Sequence, residues 1–169
     1  YYHIYYDNKM MIWASPLDFE LRGSHRWLQN VITHEFAHIV SLQKAMKAGT
    51  SIPGAYFQFM NYEEEKRPDV LYGYPNTLVS YPVPGTVVPP WLAEGTAQYM
   101  YDDADWDNWD SHRDMILRDR VINDNLLSFT EMNTFGKKGI GNESTYNSGF
   151  ALATYIANEY GSDALSKVM

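Results

Sequence analysis

The residues best suited to chemistry are His34-Glu35-Phe36-Ala37-His38. On an α-helix, positions four apart lie on one face about a turn apart. Two imidazoles at that spacing can hold one metal ion. Glu35, next to the first imidazole, can take a proton from water that the metal polarises. The bland alternative is a pair of surface histidines beside a surface glutamate. The metal reading is favoured because the segment falls inside a helical pattern in which Trp27, Val31, His34, Phe36, His38 and Ile39 recur at helix-like intervals. The chain has no cysteine, which excludes disulfides, thiolate zinc sites and Cys nucleophiles. Any metal must be held by His, Asp or Glu.

A catalytic zinc takes three protein ligands and leaves a position for water. A third histidine six residues beyond His38 would make a metzincin, but residues 41–44 are Ser-Leu-Gln-Lys, which rejects that class. The other source is a glutamate from a second helix. Glu94 in Pro90-Trp91-Leu92-Ala93-Glu94-Gly95-Thr96-Ala97-Gln98-Tyr99 is the candidate. A lone carboxylate among Trp91, Leu92, Ala93 and Ala97 is costly to bury without a partner, and a cation is such a partner. A helix N-terminal glutamate favoured by the macrodipole is the alternative. Gly95, beside it, lets another backbone pass close.

These residues need elements to hold them. Residues 1–16 read as strands, rich in Tyr, Met, Ile and Trp and closed by Pro16. Residues 17–49 hold the active-site helix, which starts near Leu17 or Ser24, runs to about Lys47 and stops at Gly49. Residues 50–90 form an irregular insert with interleaved aromatics and seven prolines, one short helix and one hairpin. Residues 91–169 are mainly helical. Pro90 opens a helix that reaches about Tyr101, and others are expected over Ser111–Ile122 and Ser144–Tyr160, the last ended by Gly161. Ser162 reads as the cap of a short final helix. The fold class expected is α+β, a small N-terminal sheet over the active-site helix followed by a helical half.

The chain has 169 residues, enough for one catalytic domain, and the expectation is that it is a piece of a longer protein with further domains. Its formal charge of −8 argues against nucleic acid as a partner, and no run of about 18 apolar residues spans a membrane. Absent cysteine is compatible with an extracytoplasmic or secreted bacterial protein. Asp103, Asp105, Asp107 and Asp114 fall at positions one, three, five and twelve of a calcium-loop template. The sixth position is Asn108 rather than Gly, so a solvated acidic loop is the better reading and structural Ca2+ the lesser one. His112 is a lone histidine that could be a second donor to a reacting group or a spare ligand.

The motifs together resemble the gluzincins, in particular the peptidase MA-like zinc metallopeptidases, distant relatives of thermolysin and the M-one aminopeptidases. The resemblance rests on HEFAH, on WLAEGTAQY, and on Tyr146-Asn147-Ser148-Gly149-Phe150, similar to that group's Tyr-x-x-Gly helix, and covers roughly residues 10–165. It implies a zincin-like fold, one catalytic Zn2+ on His34, His38 and Glu94, Glu35 as general base, and a peptide or protein substrate. It also implies that Tyr146 donates its hydroxyl to the oxyanion, where core packing is the alternative. Gln98 stands where thermolysin-like relatives place an Asp that orients a metal-bound histidine; a surface glutamine is the other reading. The 55 residues between His38 and Glu94 exceed the spacing in the aminopeptidase relatives, and no Gly-x-Met-Glu-Asn segment precedes His34. An endopeptidase is therefore expected rather than an aminopeptidase. A catalytically silent, zinc-bearing module that binds protein or carbohydrate, or hydrolysis of a non-peptide substrate such as an epoxide, stays open on sequence.

Overall fold

A computed structural model describes residues 2–4, 9–11, 27–47, 54–62, 64, 75–103, 111–136 and 139–169. Strands β1 (Tyr2–Ile4) and β2 (Lys9–Met11) pair antiparallel, with Tyr2 opposite Met11. Helix α1 (Trp27–Ala45) follows, then strands β3 (Tyr56–Tyr62) and β4 (Pro75–Pro82). Helices α2 (Pro90–Asp103) and α3 (Ser111–Ile122) lead to a 3-10 turn at Glu131–Asn133 and strand β5 (Thr134–Gly136). Helices α4 (Gly139–Tyr160) and α5 (Asp163–Val168) end the chain. The result is a mixed α+β fold of helices with a small antiparallel sheet in the order β3-β4-β5. Among the described residues no helix is long and apolar enough to cross a membrane.

Three expectations shift. The larger sheet comes from the 50–90 segment and residues 134–136, not from the N-terminus. Its prolines punctuate strands rather than break them: Pro75 and Pro82 sit at the two ends of β4, where a missing N–H does least harm. Helix α4 begins at Gly139, five residues before the expected Ser144, despite two glycines in its first turn. Packing overrides propensity there, because α4 lies against β5 and Asn142 Oδ1 accepts from Gly136 N at 2.7 Å. Ser162 makes no side-chain cap bond; α5 is fastened instead by buried Leu165 and Met169.

Helix α1 is turned unusually. Its inward face buries Asn30, Glu35, His38 and Ser41 beside Val31, Leu42 and Ala45, while Leu28, Ile32, Phe36 and Val40, each four residues on, stay exposed. The apolar pattern that marks the helix in the sequence thus includes residues that do not face the core. At the C-terminal end of α1 a cluster of Leu42, Ala45, Val88, Leu92, Ala93 and Met169 joins α1, α2 and the chain end. A second cluster of Ala153, Ala157 and Leu165 joins α4 to α5.

Among the described residues, α2 and α4 pack together more extensively than any other pair of elements. A Cβ on Gly95 would stand 2.2 Å from the backbone C and O of Gly149, and one on Gly149 would stand 2.3 Å from the Trp91 carbonyl oxygen. Neither distance can be relieved by rotating a side chain. Thr145, one turn before Gly149 on α4, is fully buried. Gly95→Ala and Gly149→Ala are each expected to cost about 3 kcal/mol of stability, read as a drop in urea midpoint at unchanged m-value. A loss below about 1 kcal/mol would mean that the two helices part easily.

Candidate metal centre

Helix α1 supplies His34 and His38 from one face, a turn apart, and α2 presents Glu94 one residue before the glycine crossing. The three donor atoms close a small triangle: His34 Nε2 to Glu94 Oε2 is 3.0 Å, His38 Nε2 to His34 Nε2 is 3.0 Å, and His38 Nε2 to Glu94 Oε2 is 3.1 Å. His38 is almost fully buried, and His34 and Glu94 are partly buried. Among the described residues this is the one group of three or more His, Asp or Glu side chains with converging donor atoms.

Hydrogen bonds alone do not account for the triangle. Each imidazole Nε2 carries at most one proton. If both carry one, two donors meet at 3.0 Å; if one does, a single proton serves three contacts. A cation suits all three atoms at once. Ligands about 2.0–2.1 Å from a tetrahedral ion stand about 3.3 Å from one another, within a few tenths of the edges found. Two imidazoles and a carboxylate also form a donor set suited to a divalent transition ion.

The charges are mutually supporting. Burial pulls the His38 imidazole down, but the Glu94 carboxylate it touches, aided by Glu35, outweighs this and leaves it above its ordinary value. Burial pushes the Glu94 carboxyl up, but His38 and His34 outweigh that and hold it well below the usual carboxylate range. Glu94 is therefore ionised and ready to act as a ligand at neutral pH.

Glu35 is buried on the inward face of α1, near enough to act on His38. Tyr146, on α4, stacks over His34 with ring centroids 6.2 Å apart and planes at 25°. Its place one turn before Gly149 brings it to the centre, because the crossing at Gly95 fixes both helices there. Gln98 is one turn beyond Glu94, and its amide oxygen accepts from the buried Arg113 guanidinium. Arg113 also donates to Tyr101 Oη at 3.0 Å and lies 4.0 Å from the centre of the Phe150 ring. Tyr101 in turn stands 6.4 Å from His34, ring to ring. His112 is apart from the triangle and pairs with Glu143 Oε2 at 3.2 Å. Of the calcium-loop aspartates, Asp105 and Asp107 lie outside the described residues, the Asp103 side chain is likewise undescribed, and Asp114 accepts from Arg118 at 2.7 Å.

Sequence reasoning missed Tyr101, Arg113 and Tyr56. Glu94, Gln98 and Tyr101 share the i, i+4, i+7 spacing of one helix face, a signal that could have found Tyr101. Arg113 opens a polar helix and gives no such sign. Tyr56 comes from the insert: its hydroxyl donates to Val88 O at 3.1 Å, and burial, reinforced by the Glu94 charge, pushes its phenol up to about 12.

If the triangle holds a metal ion, removing one of its donors weakens binding while leaving the helices in place. His34→Ala and Glu94→Gln are each expected to weaken zinc binding by about 100-fold or more in equilibrium dialysis, whereas His112→Ala leaves it unchanged. Equal zinc retention by all three variants would dissolve the assignment. Compared with known proteins, the chain matches no family model, no curated protein and no solved structure.

Proposed function

We propose that the chain is a zinc-dependent peptidase of the gluzincin kind, zincin-like in fold, acting on internal peptide bonds. The observation that carries this reading is the convergence of His34 Nε2, His38 Nε2 and Glu94 Oε2 within 3.0–3.1 Å of one another, with Glu35 on the next position of the same helix. His34, His38 and Glu94 would hold the ion, which when bound supplies Lewis-acid polarisation of a carbonyl and a lowered pKa for water.

The remaining work falls to the chain's own side chains. Glu35 takes the proton of the attacking water on its carboxylate and returns it to the leaving amine nitrogen. Tyr146 donates its hydroxyl to the carbonyl oxygen as that atom gains negative charge, an interaction strongest in the transition state. Arg113 holds Gln98 and Tyr101 on the α2 face that continues from Glu94. An endopeptidase is preferred because the amine-anchoring segment of the aminopeptidase relatives is absent before His34.

Two substitutions separate the roles. Glu35→Gln is expected to keep stoichiometric zinc and lower kcat on a fluorogenic peptide by about 10²–10⁴-fold. Bound zinc with undiminished cleavage would sink the mechanism. Tyr146→Phe is expected to lower kcat by about 10²-fold with KM little changed, the mark of a donor used in the transition state. A rise in KM alone would make Tyr146 a packing residue.

A further inference from the structure

The orientation of the His34 ring needs a cause. A metal-bound imidazole is usually fixed by a hydrogen bond from its second nitrogen to a carboxylate or carbonyl. Among the described residues the His34 ring bonds only through Nε2, to Glu94 and His38, and nothing reaches its Nδ1. Gln98, which stands where such a partner is expected, gives its amide oxygen to Arg113 instead. The neighbours of the ring are aromatic. Tyr146 is 6.2 Å away between ring centres and Tyr101 6.4 Å, and the His38 ring meets it edge-on at 4.6 Å. The His34 side chain is also more open than that of His38, 12% against 1% exposed, so burial holds it less firmly.

Tyr101 is held in turn by Arg113. The Arg113 Nη2 donates to Tyr101 Oη at 3.0 Å and to the Gln98 amide oxygen, and the guanidinium lies over the Phe150 ring, 4.0 Å from its centre. Arg113 is buried. Taking a guanidinium out of water is costly unless it is well bonded. Here the bonds go to two helices. Gln98 and Tyr101 lie one and two turns beyond Glu94 on α2, and Phe150 follows Gly149 on α4. Arg113 thus reaches from α3 to both helices of the glycine crossing. A lysine cannot repeat this, because only a planar fork bonds neighbouring acceptors while its face rests on a ring.

We propose that Arg113 is a positioning residue for the metal centre: its guanidinium pins the Tyr101 hydroxyl, and the pinned ring, with Tyr146, sets the plane in which His34 Nε2 meets His38 and Glu94. Ring packing here takes the place of a hydrogen bond to the second imidazole nitrogen. The inference rests on the metal-ligand reading of the triangle and is independent of what the centre acts on.

The test measures zinc affinity, by competition with a coloured chelator, for the unsubstituted chain, Arg113→Lys, Tyr101→Phe and the double variant. The Co2+-loaded proteins are compared by visible absorption. Each single substitution is expected to weaken zinc binding by about tenfold or more and to shift the cobalt bands. The double variant should be no weaker than the worse single one, because both break one linkage. His112→Ala, on the same turn of α3, controls for loosening of that helix and should move neither readout. Arg113→Lys that lowers the urea midpoint but leaves affinity and spectrum unchanged would make Arg113 a packing residue and overturn the proposal. So would losses that multiply in the double variant, since Arg113 would then act by another route. Tyr101→Phe removes a single hydroxyl, so unchanged zinc affinity in that variant overturns the proposal even where Arg113→Lys does not fold. An unsubstituted chain that takes up neither zinc nor cobalt would remove the metal reading and this proposal with it. The expected cycle in a chain that cleaves no peptide would keep the proposal and remove only the peptidase reading.

Discussion

The contact between Gly95 and Gly149 sets the geometry on which the rest depends. Two helices approach so closely there that each occupies the space of the other's missing Cβ. Glu94 immediately precedes one glycine, and Tyr146 lies one turn before the other. The crossing therefore fixes Glu94 and the phenol stacked on His34 with one steric constraint. A longer side chain at either glycine would move α4 away from α2, and Tyr146 with it. Thr145, one turn before Gly149, is fully buried, so added volume there would be felt as strain.

Against this seam α1 lays a face that a stability-optimised helix would turn outward. Asn30, Glu35, His38 and Ser41 are buried while Leu28, Ile32, Phe36 and Val40 meet solvent. Burying such groups is costly unless they are paired. Part of the cost is offset within the triangle, where Glu94 is held ionised by the two imidazoles and His38 is supported by Glu94. The remainder explains why an ion would couple so strongly to the fold. A cation shared by the three donors would add its binding energy to folding stability.

The site was more legible in the sequence than the fold around it. Histidines four apart on a helix need only helical geometry to converge, and Glu94 stood out as a carboxylate in apolar company next to a glycine. Pro90 and Gly161 mark helix boundaries that the structure keeps. What sequence could not give was long-range pairing. The sheet joins residues 56–62 and 75–82 to residues 134–136, with Leu78 opposite Phe135, and nothing local announces a partner some 55 positions away. The orientation of α1 was equally hidden, since its apolar residues recur all round the helix and only packing decides which of them are covered. Gln98 shows a subtler limit: its place one turn beyond Glu94 was readable, but its bond to Arg113 depends on a second helix.

The long separation of His38 from Glu94 is compatible with a tight centre because the excursion between them closes on itself. Val83 N donates to Ala55 O at 2.9 Å, and Ala55 N donates to Thr86 Oγ1 at 3.2 Å, so the two feet of the β3–β4 hairpin are clasped. The end of α1 is fastened to the same place, with Lys47 N donating to Gly85 O at 2.9 Å. Gly85 and Thr86 then lead directly through Val88 into α2. The ligand-bearing helices are thus joined by a short, bonded path, and the hairpin hangs from it. Loop-closure entropy grows only with the logarithm of length, so a segment inserted above such a clasp adds little to the cost of assembling the centre. The same clasp ties β3 to the segment that enters α2, through the Tyr56 hydroxyl on Val88 O.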